Sequence, residues 1–299
     1  MKFYIVTPTF NNWSWLEACI KSVADQGTET LHVHHHVQDG GSNDGTAERL
    51  AEWLEKSKDI PHYTFSYVSG KDAGMYDAIN LAWAQMPDDA DFTAHLNSDE
   101  QYLPGALAEI APYFEQYQQA DVLLGSYIIL DAKLGYIAHR RPVKPRLWSS
   151  WLNCTCITNS SFYRVSSFHQ HQMAYDSRWK ISGDLVFYRH LLQVGVNMQT
   201  IPVISSTFVC TGANLAWSPR AKDEWNVLVE ESPFIYRLLG ARAGKWVNLT
   251  RRIKDCFLPA PRQYALFEAG ADSRSCITIL KPTCRWNLRT EADPTAYQR

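Results

Sequence analysis

The chain has 299 residues, room for one large α/β domain or for a domain of about 200 residues with an extension. Hydrophobic residues make up 45%, which supports a sizeable core and excludes global disorder, and a net charge of −2 excludes a generic binder of nucleic acid. Phe3 to Val6 is too short for the apolar stretch of a signal peptide, no run reaches the roughly 18 apolar residues of a membrane span, and the seven scattered cysteines read as reduced thiols; the expectation is a cytoplasmic protein.

Strand and helix patterns alternate from the start. Phe3 to Val6 reads as a strand, and Leu16, Cys19, Ile20 and Val23 follow at the i, i+3, i+4, i+7 spacing of a helix face. Leu31 to Gln38 is a second strand, followed by a helix carrying Leu50, Trp53 and Leu54. Tyr63 to Val68 is a third, followed by a helix with Met75, Ile79, Ala82, Trp83 and Met86 on one side. Phe92 to Leu96 is a fourth, and Pro104 sits where it can start the next helix, with Leu107, Ile110, Ala111 and Phe114 on its inner face. Val122 to Leu130 reads as a buried strand. Such alternation forces a mostly parallel sheet with right-handed crossovers, and ligands of such sheets bind outside the carboxyl ends of the strands.

The residues after each strand therefore carry the functional signal. After the first stands Thr7-Pro8-Thr9-Phe10-Asn11-Asn12, which lacks the glycines that a dinucleotide pyrophosphate or a P-loop requires. After the second stands Asp39-Gly40-Gly41-Ser42-Asn43-Asp44-Gly45-Thr46, readable either as a carboxylate for a base or ribose or as a tight turn with a capped helix. After the third, Lys71 is either a phosphate or base contact or solvated surface. After the fourth, Asn97 and Asp99 point the same way in extended backbone. They are either the end of a polar loop or a place for a hard divalent cation beside a diphosphate.

In this order and register the segments resemble family 2 glycosyltransferases. The resemblance lies in Thr7 to Asn12, Asp39 to Thr46, Asp72 to Asn80, Leu96 to Asp99, Tyr102 to Leu107 and Tyr175 to Phe187, and covers roughly residues 1–215. It is closest to the bacterial branch that builds polysaccharide, lipopolysaccharide and O-antigen. It implies a GT-A fold, a Rossmann-like, mostly parallel sheet with helices on both faces. It also implies a nucleotide-sugar donor, UDP ahead of GDP and dTDP, and inversion at the transferred sugar. By the same resemblance Asp39 binds the nucleobase, Pro8 and Thr9 line the nucleotide pocket, and Lys71 approaches the base or a phosphate. Asn97 and Ser98 lie near ribose or metal, and Asp99 holds Mn²⁺ or Mg²⁺. Asp184 matches the catalytic base. It also heads an apolar helical segment with Leu185, Tyr188, Leu191 and Leu192, so a helix cap is its other reading.

Three positions depart from the family pattern. Asn97 stands where an Asp is commoner, Gly183 stands where Ala or Glu usually precedes the base, and Thr158-Asn159 stands where relatives often carry His-Gln. Gly183 is read here as freeing the backbone. His32, His34, His35 and His36 lie on a strand and split between its two faces, the pattern of core residues more than of metal ligands. Trp148, Trp151 and Trp179 are candidates for a sugar-stacking wall or for core packing.

Residues 1–215 are expected to form the catalytic domain, with a nucleotide-binding half at about 1–100 and an acceptor half at about 101–215. Residues 216–299 form an extension expected to be mainly helical. Within it, residues 236–258 interleave Arg237, Arg242, Lys245, Arg251, Arg252 and Lys254 with Trp246 and leucines. That composition suits contact with an anionic membrane, and so an enzyme acting peripherally on the inner face of the cytoplasmic membrane on a polyprenol-linked saccharide acceptor; a packed helix or an oligomer contact is the other reading. The rival functions are a sugar nucleotidyltransferase, which needs a glycine- and Lys/Arg-rich first loop, and an inactive binder of nucleotide-sugar or glycan, which has no use for both Asp99 and Asp184.

Overall fold

The computed structural model describes residues 1–151, 157–212, 214–215, 218–238 and 261–279. The first half alternates without interruption: β1 (Lys2–Thr9), α1 (Trp13–Ala24), β2 (His32–Asp39), α2 (Thr46–Ser57), β3 (Tyr63–Ser69), α3 (Met75–Trp83), β4 (Phe92–His95) and α4 (Ala106–Gln116). The second half is irregular: β5 (Val122–Asp131), β6 (Tyr136–Arg140), α5 (Leu147–Ser150), β7 (Ser161–Arg164), α6 (Val165–Gln170), α7 (Gly183–Gln193) and β8 (Met198–Cys210). Beyond it lie α8 (Pro219–Glu230) and a hairpin of β9 (Gln263–Phe267) and β10 (Arg274–Thr278).

Eight strands form one sheet in the order β3-β2-β1-β4-β7-β5-β6, with β8 on the other edge of β5. The first four strands are mutually parallel; β7 is antiparallel to β4 and to β5, and β8 is parallel to β5. This is the mostly parallel α/β sheet with helices on both faces that the alternation dictates.

Alternation along the strands sorts the core into two layers. Phe3 and Ile5 of β1 face one layer, with Leu16 and Ile20 of α1, Leu50 of α2, and Leu107, Ile110 and Phe114 of α4. Tyr4 and Val6 face the other, with Ile79 and Trp83 of α3, Phe168 of α6, and Phe187 and Leu191 of α7. Strands buried on both faces read as continuous apolar runs, which is why β1 was visible from four residues. Register then sets the site, since pairing of Thr9 with Asp39 and of Asp39 with Ser69 leaves the carboxyl ends of β1, β2 and β3 level.

Two local expectations change. Pro104 does not open α4; it precedes Gly105, the cap residue, whose φ of 68° needs a left-handed backbone. The extension adds strands to the helix expected there: α8 is followed by the β9–β10 hairpin, which packs back on the sheet domain. The Gln101 side chain clasps the hairpin backbone, donating to Phe267 O (2.9 Å) and accepting from Phe267 N (2.9 Å). Arg274 forks onto Asp25 (2.7 and 2.9 Å) and donates to Tyr102 O and Ala265 O (3.0 and 3.1 Å). No helix among the described residues is long and apolar enough to cross a membrane. Residues 239–258 of the basic segment, with Cys154 and Cys156, lie outside the described residues.

The Arg274 fork replaces backbone partners that the hairpin cannot supply itself. Arg274→Ala should lower unfolding free energy by about 2–3 kcal/mol, because it leaves two carbonyls without their donor. Urea denaturation checks it, and a loss below about 0.5 kcal/mol would mean the hairpin is held by its apolar face alone.

Candidate active site

Loops from the ends of β1 to β4 enclose, with the start of α7 and the end of β8, a cavity of about 1080 Å³. Pro8, Thr9, Lys71, Asn97, Ser98, Asp99 and Asp184 all line it. Of the residues expected to bind nucleotide or metal or to act as the base, Asp39 alone is not among its lining. Asp39 is fully buried at the end of β2 and accepts from Ser42 N (3.1 Å), Ser42 Oγ (2.5 Å) and Ser69 Oγ (2.5 Å), while Gly40 and Gly41 beside it form the wall. Gly40 is small for a reason: a Cβ there would meet the Asp72 carboxylate at 2.9 Å.

Polar bridges fix the loops to one another. Asn11 N donates to Ser42 Oγ (2.7 Å), and Asn43 N donates to Asn11 Oδ1 (2.8 Å), joining the loops after β1 and β2. Asn12 Nδ2 donates to Ser98 Oγ (2.8 Å), joining the loops after β1 and β4.

The segment 72–80 holds residues 175–184, which lead into α7, in place. Gly74 N donates to Asp72 Oδ1 and Ala73 N to Asp77 Oδ2, which shape the turn into α3. The Asn80 amide clasps the Tyr175 backbone, donating to its O (2.8 Å) and accepting from its N (2.9 Å). The Tyr76 hydroxyl donates to Ile181 O (2.7 Å) and accepts from Asp184 N (3.2 Å). Its ring lies flat against Gly183, where a Cβ would sit 2.5 Å from ring carbon Cε2. Gly183 is thus required by close packing and not by backbone freedom.

Asp184 sits in the first turn of α7, whose cap residue is Ser182, so Asp184 is not the cap. Its Oδ1 accepts from Leu185 N (2.7 Å). Burial raises its pKa to about 6, and no cation among the described residues offsets that. Burial also raises Asp99 to about 6. The neighbouring Glu100 went unmarked in the sequence. It is buried beside Asp99 and also lines the cavity, accepting from Asn97 N (2.9 Å) and Asn159 Nδ2 (3.0 Å). Burial first, and then the charge of Asp99, hold Glu100 well above the usual carboxylate range.

Among the described residues the lining carries the acids Asp72, Asp99, Glu100 and Asp184 against one lysine, Lys71. Asn97 Oδ1 and Thr9 Oγ1 are buried acceptors with no hydrogen-bond partner. A diphosphate entering this excess of negative charge needs a cation, and Asp99 with Asn97 Oδ1 offers it hard oxygen donors. Among the described residues no group of three or more His, Cys, Asp or Glu gathers as a metal cage; a cation that keeps its waters and takes phosphate oxygens requires none.

The histidines of β2 are used internally. His35 hydrogen-bonds with Thr7 Oγ1 and Tyr63 OH, while His34 and His36 share Ser66 Oγ. Burial lowers His35 to about 3 and His34 to about 4, so both are neutral. Trp148, Trp151 and Trp179 are not among the cavity lining; Trp179 packs with Leu185 and Leu228, and Trp151 lies under Arg189.

The profile of glycosyl transferase family 2 matches residues 4–182. The chain belongs to that family. Among solved structures its fold is similar to TarS of S. aureus. For TarS 1–349 the identity is 16%, with 78% of this chain and 67% of that chain covered and a TM-score of 0.54. For the same protein in complex with UDP-GlcNAc the identity is 17%, over 70% and 58%, with a TM-score of 0.54. For TarS itself it is 14%, over 92% and 60%, with a TM-score of 0.58. The family member described here therefore spans about three fifths of most of those chains. No curated protein matches the sequence. The family match ends at Ser182, two residues before Asp184, so the base region rests on geometry.

Two outcomes follow from this packing. Gly183→Ala should cost about 1–3 kcal/mol, and a Tyr76→Ala background should absorb most of that cost, because the clash is with the ring. Equal costs in both backgrounds, by chemical denaturation, would remove the contact as cause. Asp184 binds its proton more tightly folded than unfolded, so its contribution to stability is full below about pH 4 and is lost as pH rises through about 6. Asp184→Asn should therefore raise unfolding free energy at pH 8, on the order of 2 kcal/mol, and not at pH 4. Melting curves at both pH values test it.

Proposed function

We propose that this glycosyltransferase moves a sugar from a nucleoside diphosphate-sugar to a hydroxyl of a saccharide acceptor with inversion. Asp184 is the general base. The carrying observation is the convergence of Asp99, at the end of β4, and Asp184, at the start of α7, on one cavity with opposed charge needs. One carboxylate lies where a diphosphate would sit among too few cations. The other has a pKa of about 6, with Leu185 N donating to its carboxylate.

The chemistry is a single displacement. Asp184 takes the proton of the acceptor hydroxyl as its oxygen bonds to the anomeric carbon. The bond from that carbon to the diphosphate oxygen breaks, and the nucleoside diphosphate leaves with the electron pair. One base and no protein nucleophile give inversion, by the stereochemical logic of glycosidases. A bound Mg²⁺ or Mn²⁺ held by Asp99 and Asn97 Oδ1 would neutralise the leaving diphosphate. Pro8, Thr9 and Ser98 line the nucleotide side, and Lys71 supplies its positive charge. Asp39 acts on the base through Ser42 and the backbone of Gly40 and Gly41, since its own carboxylate is engaged. UDP is the first nucleotide to test, supported by the TarS structures solved with UDP and with UDP-GlcNAc. Residues 1–215 act as the catalytic domain. The acceptor is a polyprenol-linked saccharide of bacterial polysaccharide or O-antigen synthesis, reached by peripheral contact of residues 236–258 with the inner membrane face. Exposed Phe234, Ile235 and Leu238 border that segment and support the contact.

Thermal shift with UDP, GDP and dTDP, with and without Mn²⁺, comes first, because a ligand of the native state must raise the melting temperature. One nucleotide enhanced by metal is expected, and Asp99→Ala should abolish the enhancement. With the matching donor, Asp184→Asn should lower kcat roughly 10²- to 10⁴-fold. Wild-type kcat should fall tenfold per pH unit below about 6, where the base is protonated. An active Asp184→Asn enzyme would end the assignment of the base.

A further inference from the structure

The helix that carries Asp184 begins against the extension. Glu224, in the middle of α8, accepts from three successive backbone groups: Lys180 N (2.8 Å), Ile181 N (3.0 Å) and Ser182 N (2.9 Å). These donors lie immediately before α7, where N–H groups have no helical partner and the helix dipole favours negative charge. The Glu224 side chain is 12% exposed. Leu228, one turn further along α8, is buried against Trp179 and Leu185, which seats the helix on the same segment. The chain between β8 and α8 also supplies Thr211, Asn214 and Leu215 to the cavity wall.

Asp184 is thus held from two sides. Tyr76 grips Ile181 O and Asp184 N from the nucleotide half, and Glu224 grips Lys180, Ile181 and Ser182 from the extension. A two-oxygen acceptor on three consecutive donors fixes the direction in which α7 starts, and so where its second residue points.

We propose that Glu224 is a positioning residue for the transfer reaction, holding the start of α7 so that Asp184 faces the acceptor hydroxyl. The inference rests on the role proposed for Asp184. It makes the extension part of the catalytic apparatus and not only an anchor. Glu224 touches neither donor nor acceptor, and Pro8, Thr9, Lys71 and Asp99 are set by other elements. Its loss should therefore appear in kcat and not in donor binding.

The test is steady-state kinetics of the full chain with Glu224→Ala, Glu224→Gln and Asp184→Asn, with a thermal melt of each. Glu224→Ala should lower kcat roughly 10- to 100-fold, the size expected when a reacting group is misplaced by about 1 Å. The donor KM and the nucleoside diphosphate Kd should stay within about twofold. The acid limb of its pH profile should move to lower pH as water reaches the carboxylate at position 184. Glu224→Gln should fall between, because its amide oxygen still accepts while its NH2 faces a donor. If Glu224→Ala does not fold, Glu224→Gln carries the same comparison at equal volume. A role confined to stability would lower the melting temperature and leave kcat per folded molecule and the pH profile as in the wild type, and that result overturns the inference. If Asp184→Asn is inactive while both Glu224 variants turn over normally, only this inference fails. If Asp184→Asn is active, the base assignment fails and takes this inference with it.

Discussion

The contact on which the site depends is that between Tyr76 and the turn that starts α7. A sheet of this kind builds its nucleotide side from β1 to β4, while the group that activates an acceptor must come from elsewhere in the chain. Tyr76 and Asp184 are 108 residues apart, and one hydroxyl bonds both Ile181 O and Asp184 N. The ring takes the space that a side chain at position 183 would fill. Position and direction of the second carboxylate are thereby set relative to the first half, which a flexible linker could not do.

The arrangement is held at an electrostatic cost. Asp99 and Asp184 are each partly buried in the cavity wall, and desolvation raises both to about 6. Stability at the site is traded for reactivity, a balance that functional sites commonly show. The neighbouring groups limit the cost. Burial holds Glu100 well above the usual carboxylate range, His95 is neutral because burial lowers it to about 3, and the loops are tied by neutral amides and hydroxyls such as Asn11, Asn12 and Ser42. The lining therefore presents its few charges only where a charged substrate can answer them.

Local patterns carried the first half of the fold. Strands β1 to β5 and helices α1 to α4 announce themselves by apolar runs and helical spacing, and the site lay where parallel sheets put it, after the strands. Asp99 and Lys71 were singled out this way and Asp184 by the family resemblance, and the three share a cavity. Asp39 was found too, but its engagement by Ser42 and Ser69 depends on the register of β2 with β3, which no local window contains. Pro104 misled because proline marks the residue before a cap as readily as the first turn. Glu224, Gln101 and Arg274 gave no signal at all. Their partners are distant in sequence, 42 residues from Glu224 to Ser182 N, 166 from Gln101 to Phe267 O and 172 from Arg274 to Tyr102 O, and a lone acid or amide on an amphipathic segment looks like solvated surface.

The motif at 72–80 shows what a short sequence signature encodes here. Asp72 and Asp77 shape a turn, Gly74 adopts a φ of 118°, Tyr76 and Asn80 hold the backbone of residues 175–184, and Asp72, Gly74, Met75, Tyr76 and Ala78 line the cavity. The signature is chiefly a brace between two halves, and what it specifies is their distance. A brace of this kind constrains a handful of side chains and leaves the rest of the sheet free. It also locates where this enzyme's own selectivity must be written. Ile157, Thr158, Phe208, Thr211, Asn214 and Leu215 line the far side of the cavity, and apart from Ile157 and Thr158 they lie beyond the family match. A wall of isoleucine, phenylalanine and leucine with one amide and two threonine hydroxyls suits the apolar face of a sugar ring with few fixed hydrogen bonds, and discriminates by shape more than by charge.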